Sequence, residues 1–578
     1  MRYKSERQLQ KKLLLKDGDY RSTKEVLERI VKYIPDKNIL AELDAQKNIV
    51  YHTAKDIYND VESLGAGLLD MGLHGKHIAI IADNSYRYLI SDMAISGGVG
   101  VVTPIDKDAP NDLMVTLLNK CDADAVIISA HLLNKIESIK DLCPKLSTII
   151  TIDKKVEGYP SLDEVLAVGR NLELRQVYRN TPLDLDAPAK ILFTSGTTGA
   201  NKAVVFSQNN LAANILNAMD TIKADEKGIN TSMSVLPMHH STEINTHILP
   251  RIACGRLTYI NDSIKNMMTN IKIFKPSVIT IVPMIANAFY KNIWMNATKL
   301  GKADKLKKGI KLSNFLRKFG IDITHKLFKD VFEPFGGNLN QIVSGGAMLS
   351  PEVVKGFNDL GVFIVNGYGI TECGPLISMN SDTLEEAYSV GCISPNLEAK
   401  LVNIDLNDVG ELCVRGKSVT RGYYMDPEAT ATVLDNDGFF NTGDLARIDD
   451  KGRIFIVGRK KNVIVLDNGK NVCPEEIEHE IQINLDYCKE LVVYMGDYCV
   501  DGKTHPAICL NIYIEDSAIR EDKARILNDI RNVNKKLSNY KRVNYVNISD
   551  KEFEKTSTNK IKRCSILEYH DSVNGIRI

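Results

Sequence analysis

SVITIVP (Ser277–Pro283), LNQIVSGG (Leu339–Gly346) and VFIVNGYG (Val362–Gly369) are short apolar, β-branched runs, each closing on glycine or proline. Such runs read as buried strands, with the glycine or proline marking where the strand stops and a loop begins. Outward from them, similar runs alternate with amphipathic, helix-like stretches over most of the chain, and that alternation predicts parallel sheets flanked by helices. In open sheets of this kind ligands sit at the carboxyl ends of the strands, where these glycines fall. Upstream, Ser22-Thr23-Lys24-Glu25 has the pattern of a capping box ahead of VLERIVKYI. Tyr51 to Gly72 carries apolar residues at helical spacing before the strand-like HIAIIA (His77–Ala82).

The texture changes between Asp405 and Arg459. Short strands such as GELCVRG (Gly410–Gly416) and RIFIVG (Arg453–Gly458) alternate with turn signals at Asn436-Asp437-Gly438 and Asp450-Lys451-Gly452. The expectation is an α/β protein: a large N-terminal domain of wound α/β sheets over residues 1–459, including a small β-barrel-like subdomain. A charged hinge at 460–462 and a small mobile α+β domain over 463–578 follow.

At 578 residues the chain is too long for one core. Lys+Arg and Asp+Glu both number 73, so the basic field that nucleic-acid binders need is missing and no nucleic-acid partner is expected. The 11 cysteines are scattered without a Cys-x-x-Cys pair, which fits neither a disulfide framework nor a zinc site and points to a reducing cytoplasm. The charged N-terminus lacks the apolar core of a signal peptide, and no run of about 18 apolar residues follows. At most peripheral contact with the inner face of a membrane is expected.

Thr194-Ser195-Gly196-Thr197-Thr198-Gly199-Ala200-Asn201-Lys202 follows the strand-like AKILF. Its hydroxyls, glycines and lysine could cradle a polyphosphate. It is not a Walker A loop, because the lysine is neither preceded by glycine nor followed by serine or threonine. On its own, the segment reads equally well as a flexible loop.

FTSGTTGANKAVV (Phe193–Val205) resembles the phosphate loop of the acyl-adenylate-forming, AMP-binding enzymes. That superfamily includes acyl-coenzyme A synthetases, luciferases and peptide-synthetase adenylation domains. Further motifs match in the family's order, from NSYRYLISDMAISGGVGVVTPI (Asn84–Ile105) to the basic C-terminal segment. The resemblance implies that Gly345, Gly346 and Ala347 lie against adenine. It implies the same of Asn366-Gly367-Tyr368-Gly369, with the Tyr368 ring stacked on the purine, and a phosphate contact for Thr371. Glu372, with Thr194, would hold Mg²⁺, a hard cation that takes carboxylate oxygen while bridging phosphates. Asp444 and Arg459 would clamp the ribose, and Lys461 would be the hinge about which the C-terminal domain rotates.

Lys560 would be the catalytic lysine, neutralising charge shared by the acyl carboxylate and the α-phosphate. Asn201, Ala203, Glu554 and Asn559 depart from the family's usual residues; asparagine tolerates positive φ better than most residues, which suits a tight loop.

Leu236-Pro237-Met238-His239-His240-Ser241-Thr242-Glu243 resembles the acyl-tunnel segment of long-chain acyl-coenzyme A synthetases, and VIVLDNGKNVCPEEIE (Val463–Glu478) resembles the same branch. The resemblance implies a medium- or long-chain fatty acid near His239 and His240, ATP as energy source and coenzyme A as acceptor. Read as residues alone, the paired histidines fit a hydrogen-bonded structural site as well. An α-amino-acid substrate is disfavoured, since no aspartate follows before Asp262. Two alternatives stand beside this reading: a ligase that charges an acyl carrier protein, and a nucleotide- or lipid-binding regulator that has lost its chemistry.

Overall fold

The computed structural model describes residues 2–4, 20–194, 201–219, 222, 231–347, 349–380, 388–466, 471–485, 487–500, 503–555, 561–563, 565–566 and 575–578. Of the expected site residues, Ser195, Gly196, Thr197, Thr198, Gly199 and Lys560 lie outside them. The chain divides into two compact units, one of residues 1–400, 414–440 and 450–454, the other of 401–413, 441–449 and 455–578.

The first unit is built on two sheets. The larger has nine strands: Cys392–Ile393, Leu376–Met379, Phe363–Gly369, Gln341–Gly345, Val278–Ile281, Thr231–Ser234, Leu257–Ile260, Asn38–Leu43 and Ile49–Thr53, in spatial order. The three runs that decide the fold are neighbours in it and parallel, with Ile279 beside Ile342 and Gly345 beside Gly367. Their side chains explain the arrangement. Ile279, Ile281, Ile342 and Ile364 are fully or almost fully buried against Phe289, Phe335 and Phe357, each large apolar side chain contributing about 1.5–3 kcal/mol on leaving water. A strand buried on both faces must be apolar throughout, which is why these runs do not alternate.

The second sheet has six strands: Thr148–Thr151, Ala125–Ile128, His77–Ile81, Val101–Pro104, Pro188–Thr194 and Lys202–Ser207. Its first four strands run parallel. The last two form an antiparallel hairpin at the edge.

The helix expected from Tyr51 starts only at Ala54. Tyr51 and His52 instead pair with Ala41 and Leu40 in an antiparallel ladder, and Thr53 caps the helix by accepting from the Asp56 N–H at 3.1 Å while Asp56 accepts from the Thr53 N–H at 2.8 Å. The cap decides where the helix begins, whatever the apolar spacing upstream. Ser22 caps its helix as expected, accepting from the Glu25 N–H at 3.1 Å. The reciprocal half of that box is absent, because the Glu25 carboxylate takes the Arg21 N–H at 2.6 Å.

Leu397–Val402, Gly410–Gly416, Phe440–Ile448 and Ile454–Arg459 follow one another as neighbours in a five-stranded sheet where the β-rich segment is expected. In the second unit, Glu490–Val500, Lys503–Tyr513, Tyr545–Ser549 and Ile576–Arg577 form a four-stranded sheet. Helices Pro474–Asn484 and Lys523–Lys536 bury Ile477, Ile481, Ile526 and Ile530 in a common core with Val493, Leu510 and Ile512.

Candidate active site

Thr194 and Lys202 are directly opposite each other, the last pair of the edge hairpin before its connecting segment. The strand Lys202–Ser207 is flanked by Gly422–Tyr424: the Val205 N–H donates to the Gly422 carbonyl at 3.1 Å and the Tyr424 N–H to the Ala203 carbonyl at 2.8 Å. This clasp fixes Tyr423, whose ring has the Lys202 ammonium 4.7 Å from its centroid. At its far end the phenol donates to Glu372 Oε1 at 3.2 Å. Burial, reinforced by the Glu372 carboxylate, pushes the Tyr423 phenol well above its ordinary range, so it stays a donor. One ring thus brings together the loop's cation and the expected metal-binding anion.

Gly345, Gly346 and Ala347 end the strand beside Phe363–Gly369. Gly346 has φ of 87°, where a side chain is strained. Gly369 lies so close to the next strand that a Cβ would sit 2.0 Å from the Pro375 carbonyl oxygen. Asn366 is held by its N–H, which donates to Asn380 Oδ1 at 2.7 Å, while Gly367 and Tyr368 pair with Met379 and Ser378. Thr371 opens the short turn Thr371–Cys373. Its hydroxyl oxygen is 3.4 Å from that of Ser241, so the histidine-bearing segment reaches the Thr371–Cys373 turn. The Glu372 carbonyl accepts from the Thr420 N–H at 2.8 Å.

His239 Nε2 is 3.9 Å from Asp106 Oδ2. Burial lowers the His239 pKa, with Asp106 opposing. A base whose folded pKa lies below its unfolded value loses stability as pH falls through the unfolded value, about 6.5 for imidazole. His239→Gln is therefore expected to lose less unfolding free energy than the wild type between pH 7 and 5, by up to about 1.4 kcal/mol per unit, read from urea midpoints at each pH.

In the second unit, Asp444 is buried and its Oδ1 lies 2.6 Å from Arg459 Nε. The Asp444 N–H donates to Thr442 Oγ1 at 3.1 Å, and the Thr442 hydroxyl donates to the Leu412 carbonyl at 2.7 Å. The two residues expected at the ribose are therefore brought together. Lys461 sits in the turn Lys460–Asn462, tied down by Lys460 Nζ to Glu411 at 2.7 Å and Asn462 Nδ2 to Glu475 at 2.6 Å. Further on, Lys555 pairs with Ile561 in an isolated bridge at the foot of the segment that carries Lys560.

Two features escape sequence reading. Tyr423 joins Lys202 to Glu372 only through tertiary folding. Lys190, the third residue of the strand Pro188–Thr194, is buried with Asp92 at 2.7 Å and Asn245 Oδ1 at 3.2 Å. Asn245 in turn donates to the Gly374 carbonyl at 3.5 Å, next to the Glu372 turn. A lysine in an apolar run was the available signal, since lysine is almost never buried without a partner.

The AMP-binding enzyme family matches residues 27–424, more than half of the chain and all of the first unit's candidate site. The chain belongs to that family. Among its relatives, the protein named Long chain acyl-CoA synthetase 6, peroxisomal, of Arabidopsis thaliana is 31% identical over 448 residues, covering 72% of this chain and 63% of that protein. This AMP-binding family member thus spans just under two thirds of that relative's length. Long-chain-fatty-acid–CoA ligase FadD15 of Mycobacterium bovis is 27% identical over 493 residues, 82% of this chain and 79% of that protein. In fold, the chain resembles the crystal structure of the anthranilate CoA ligase AuaEII in complex with anthranoyl-AMP, with a TM-score of 0.76 and 19% identity over 96% of this chain and 98% of that one. Among the described residues no helix is long and apolar enough to cross a membrane.

Proposed function

We propose that the protein activates a medium- or long-chain fatty acid with ATP and transfers the acyl group to coenzyme A. The observation that carries this reading is the placing of Lys202 over the face of the Tyr423 ring and Glu372 at its hydroxyl. A polyphosphate needs both a cation for its own charge and a carboxylate to hold its counter-ion, and these are supplied at one place. The long-chain acid–CoA ligase names of the relatives support the acid and the acceptor.

The fatty-acid carboxylate attacks the α-phosphorus of ATP, forming the acyl–phosphate bond as the bond to pyrophosphate breaks. The thiol of coenzyme A then attacks the acyl carbonyl and expels AMP, its proton passing to solvent or base. Lys202 and the hydroxyls and N–H groups of Thr194 to Gly199 would hold the departing phosphates. Gly345 to Ala347 and Asn366 to Gly369 would form the adenine wall, Thr371 would contact phosphate, and Asp444 with Arg459 would take the ribose. Lys560 would stabilise charge on the reacting carboxylate and α-phosphate. Lys461 would be the pivot between the two steps.

Glu372, with the Thr194 hydroxyl, has the donor chemistry of a Mg²⁺ site. Among the described residues no cluster of three acidic, histidine or cysteine side chains forms a closed metal cage. One carboxylate plus substrate phosphates and water is the arrangement Mg²⁺ favours. Bound there, the ion would offset charge on the leaving pyrophosphate.

Incubating the enzyme with ATP, Mg²⁺ and six- to eighteen-carbon acids, with coenzyme A or a phosphopantetheinylated carrier protein, tests the reading. Acyl-CoA from the longer acids is expected. Thioester formed only on the carrier protein would move the acceptor to the acyl-carrier-protein ligase alternative. Peripheral contact with a membrane belongs to the same proposal, because long acyl chains partition into lipid.

A further inference from the structure

Helix Ala303–Arg317 buries Leu306 and Ser313. On the opposite side, where a surface helix is polar, Leu312 is 50% and Phe315 55% exposed, and Phe319 just past its end is 67% exposed. At about 100° per residue these three fall on one arc. The Phe315 and Phe319 rings meet edge-on with centroids 5.2 Å apart, so they form a patch rather than two isolated side chains. Leu300 and Ile321, before and after the helix in sequence, are 67% and 51% exposed.

Cations surround the patch. Between Lys299 and Lys329 there are ten Lys or Arg and two Asp, in a chain whose charges balance overall. Lys305, Lys308, Lys311 and Lys318 are exposed, and the helical period puts Lys308 and Lys311 on the arc of Leu312 and Phe315. Scattered exposed apolar residues need no explanation. A contiguous patch ringed by one sign of charge marks an interaction surface.

We propose that this surface docks on an anionic lipid bilayer, the helix lying in the membrane plane. Leu312, Phe315 and Phe319 enter the headgroup–acyl boundary and the lysines meet lipid phosphates. A nucleic-acid duplex would engage the lysines but leave the phenyl rings in water, whereas an anionic bilayer uses both. The surface gives a place to the lipid contact proposed above, and so rests on the fatty-acid reading; the binding assay itself needs neither ATP nor acid.

The full chain is mixed with phosphatidylcholine vesicles containing about one third phosphatidylglycerol, or none, and sedimented. Binding to the anionic vesicles, weakened by salt, is expected, with binding to pure phosphatidylcholine at least tenfold weaker. Phe315→Ser/Phe319→Ser and, separately, Lys308→Glu/Lys311→Glu are each expected to lower affinity at least tenfold. Both should keep the wild-type melting temperature and pyrophosphate exchange with a short, soluble acid. Wild-type binding by both variants, equal binding to neutral vesicles, or a wild-type dimer that the phenylalanine variant dissociates without any vesicle binding would each overturn the proposal. Patch-dependent vesicle binding by an enzyme that activates no fatty acid would leave the surface standing and remove the substrate reading.

Discussion

Glu372→Gln is expected to lower fatty-acid-dependent exchange of pyrophosphate into ATP by about 10²–10³-fold, the size of loss that removing one preorganised charge from a transition state brings. The amide keeps the side chain's shape and can still accept from the Tyr423 hydroxyl, 3.2 Å away in the wild type, so the fold around it should be unchanged. What is lost is the negative charge that would retain Mg²⁺ beside the phosphates. The deficit should shrink as Mg²⁺ is raised, because mass action partly restores a weakened site. Tyr423→Phe removes only one hydrogen bond from the carboxylate and should cost about three- to tenfold. Wild-type exchange in Glu372→Gln would remove Glu372 from the chemistry.

Lys190→Met should be the most destabilising of these changes. Lys190 and Asp92 are each about 2% exposed and 2.7 Å apart, and Asp92 Oδ2 has no hydrogen-bond partner among the described residues. Removing the lysine leaves a buried carboxylate without its counter-ion, a loss of about 3–5 kcal/mol. It would appear as a lower urea midpoint and melting temperature. Asp92→Leu/Lys190→Met should regain most of that loss, since a buried ion pair replaced whole by apolar groups is often neutral. If the single variant melts with the wild type, the pair does not hold the interior that links the strand Pro188–Thr194 through Asn245 to Gly374.

Much of the fold is legible in the sequence because its central strands are buried on both faces. SVITIVP, LNQIVSGG and VFIVNGYG have little polar content to mislead, and all three are adjacent parallel strands. Tyr51 to Gly72 shows where periodicity fails: its first residues satisfy a helical spacing, yet ladder pairing and the Thr53 cap claim them for a strand. The candidate site divides along the same line. Thr371, Glu372, Asp444 and Arg459 are visible as motifs because their spacing is local. Tyr423 is not, for its meaning lies in having Lys202 at its face and Glu372 at its hydroxyl, and no local pattern encodes a contact between such distant segments. Nor does composition reveal the lysine-rimmed apolar arc of Ala303–Arg317, where overall charge balance conceals a strongly basic segment.

The central claim is that this AMP-binding family member makes acyl-adenylate from a fatty acid and ATP. Exchange of labelled pyrophosphate into ATP, with and without a long-chain acid, measures that step alone and needs no acceptor. Exchange that depends on the acid and falls by about 10²-fold or more in Lys560→Ala is the predicted result. Tight ATP binding with no exchange for any acid would contradict the account and leave a nucleotide-binding regulator in its place.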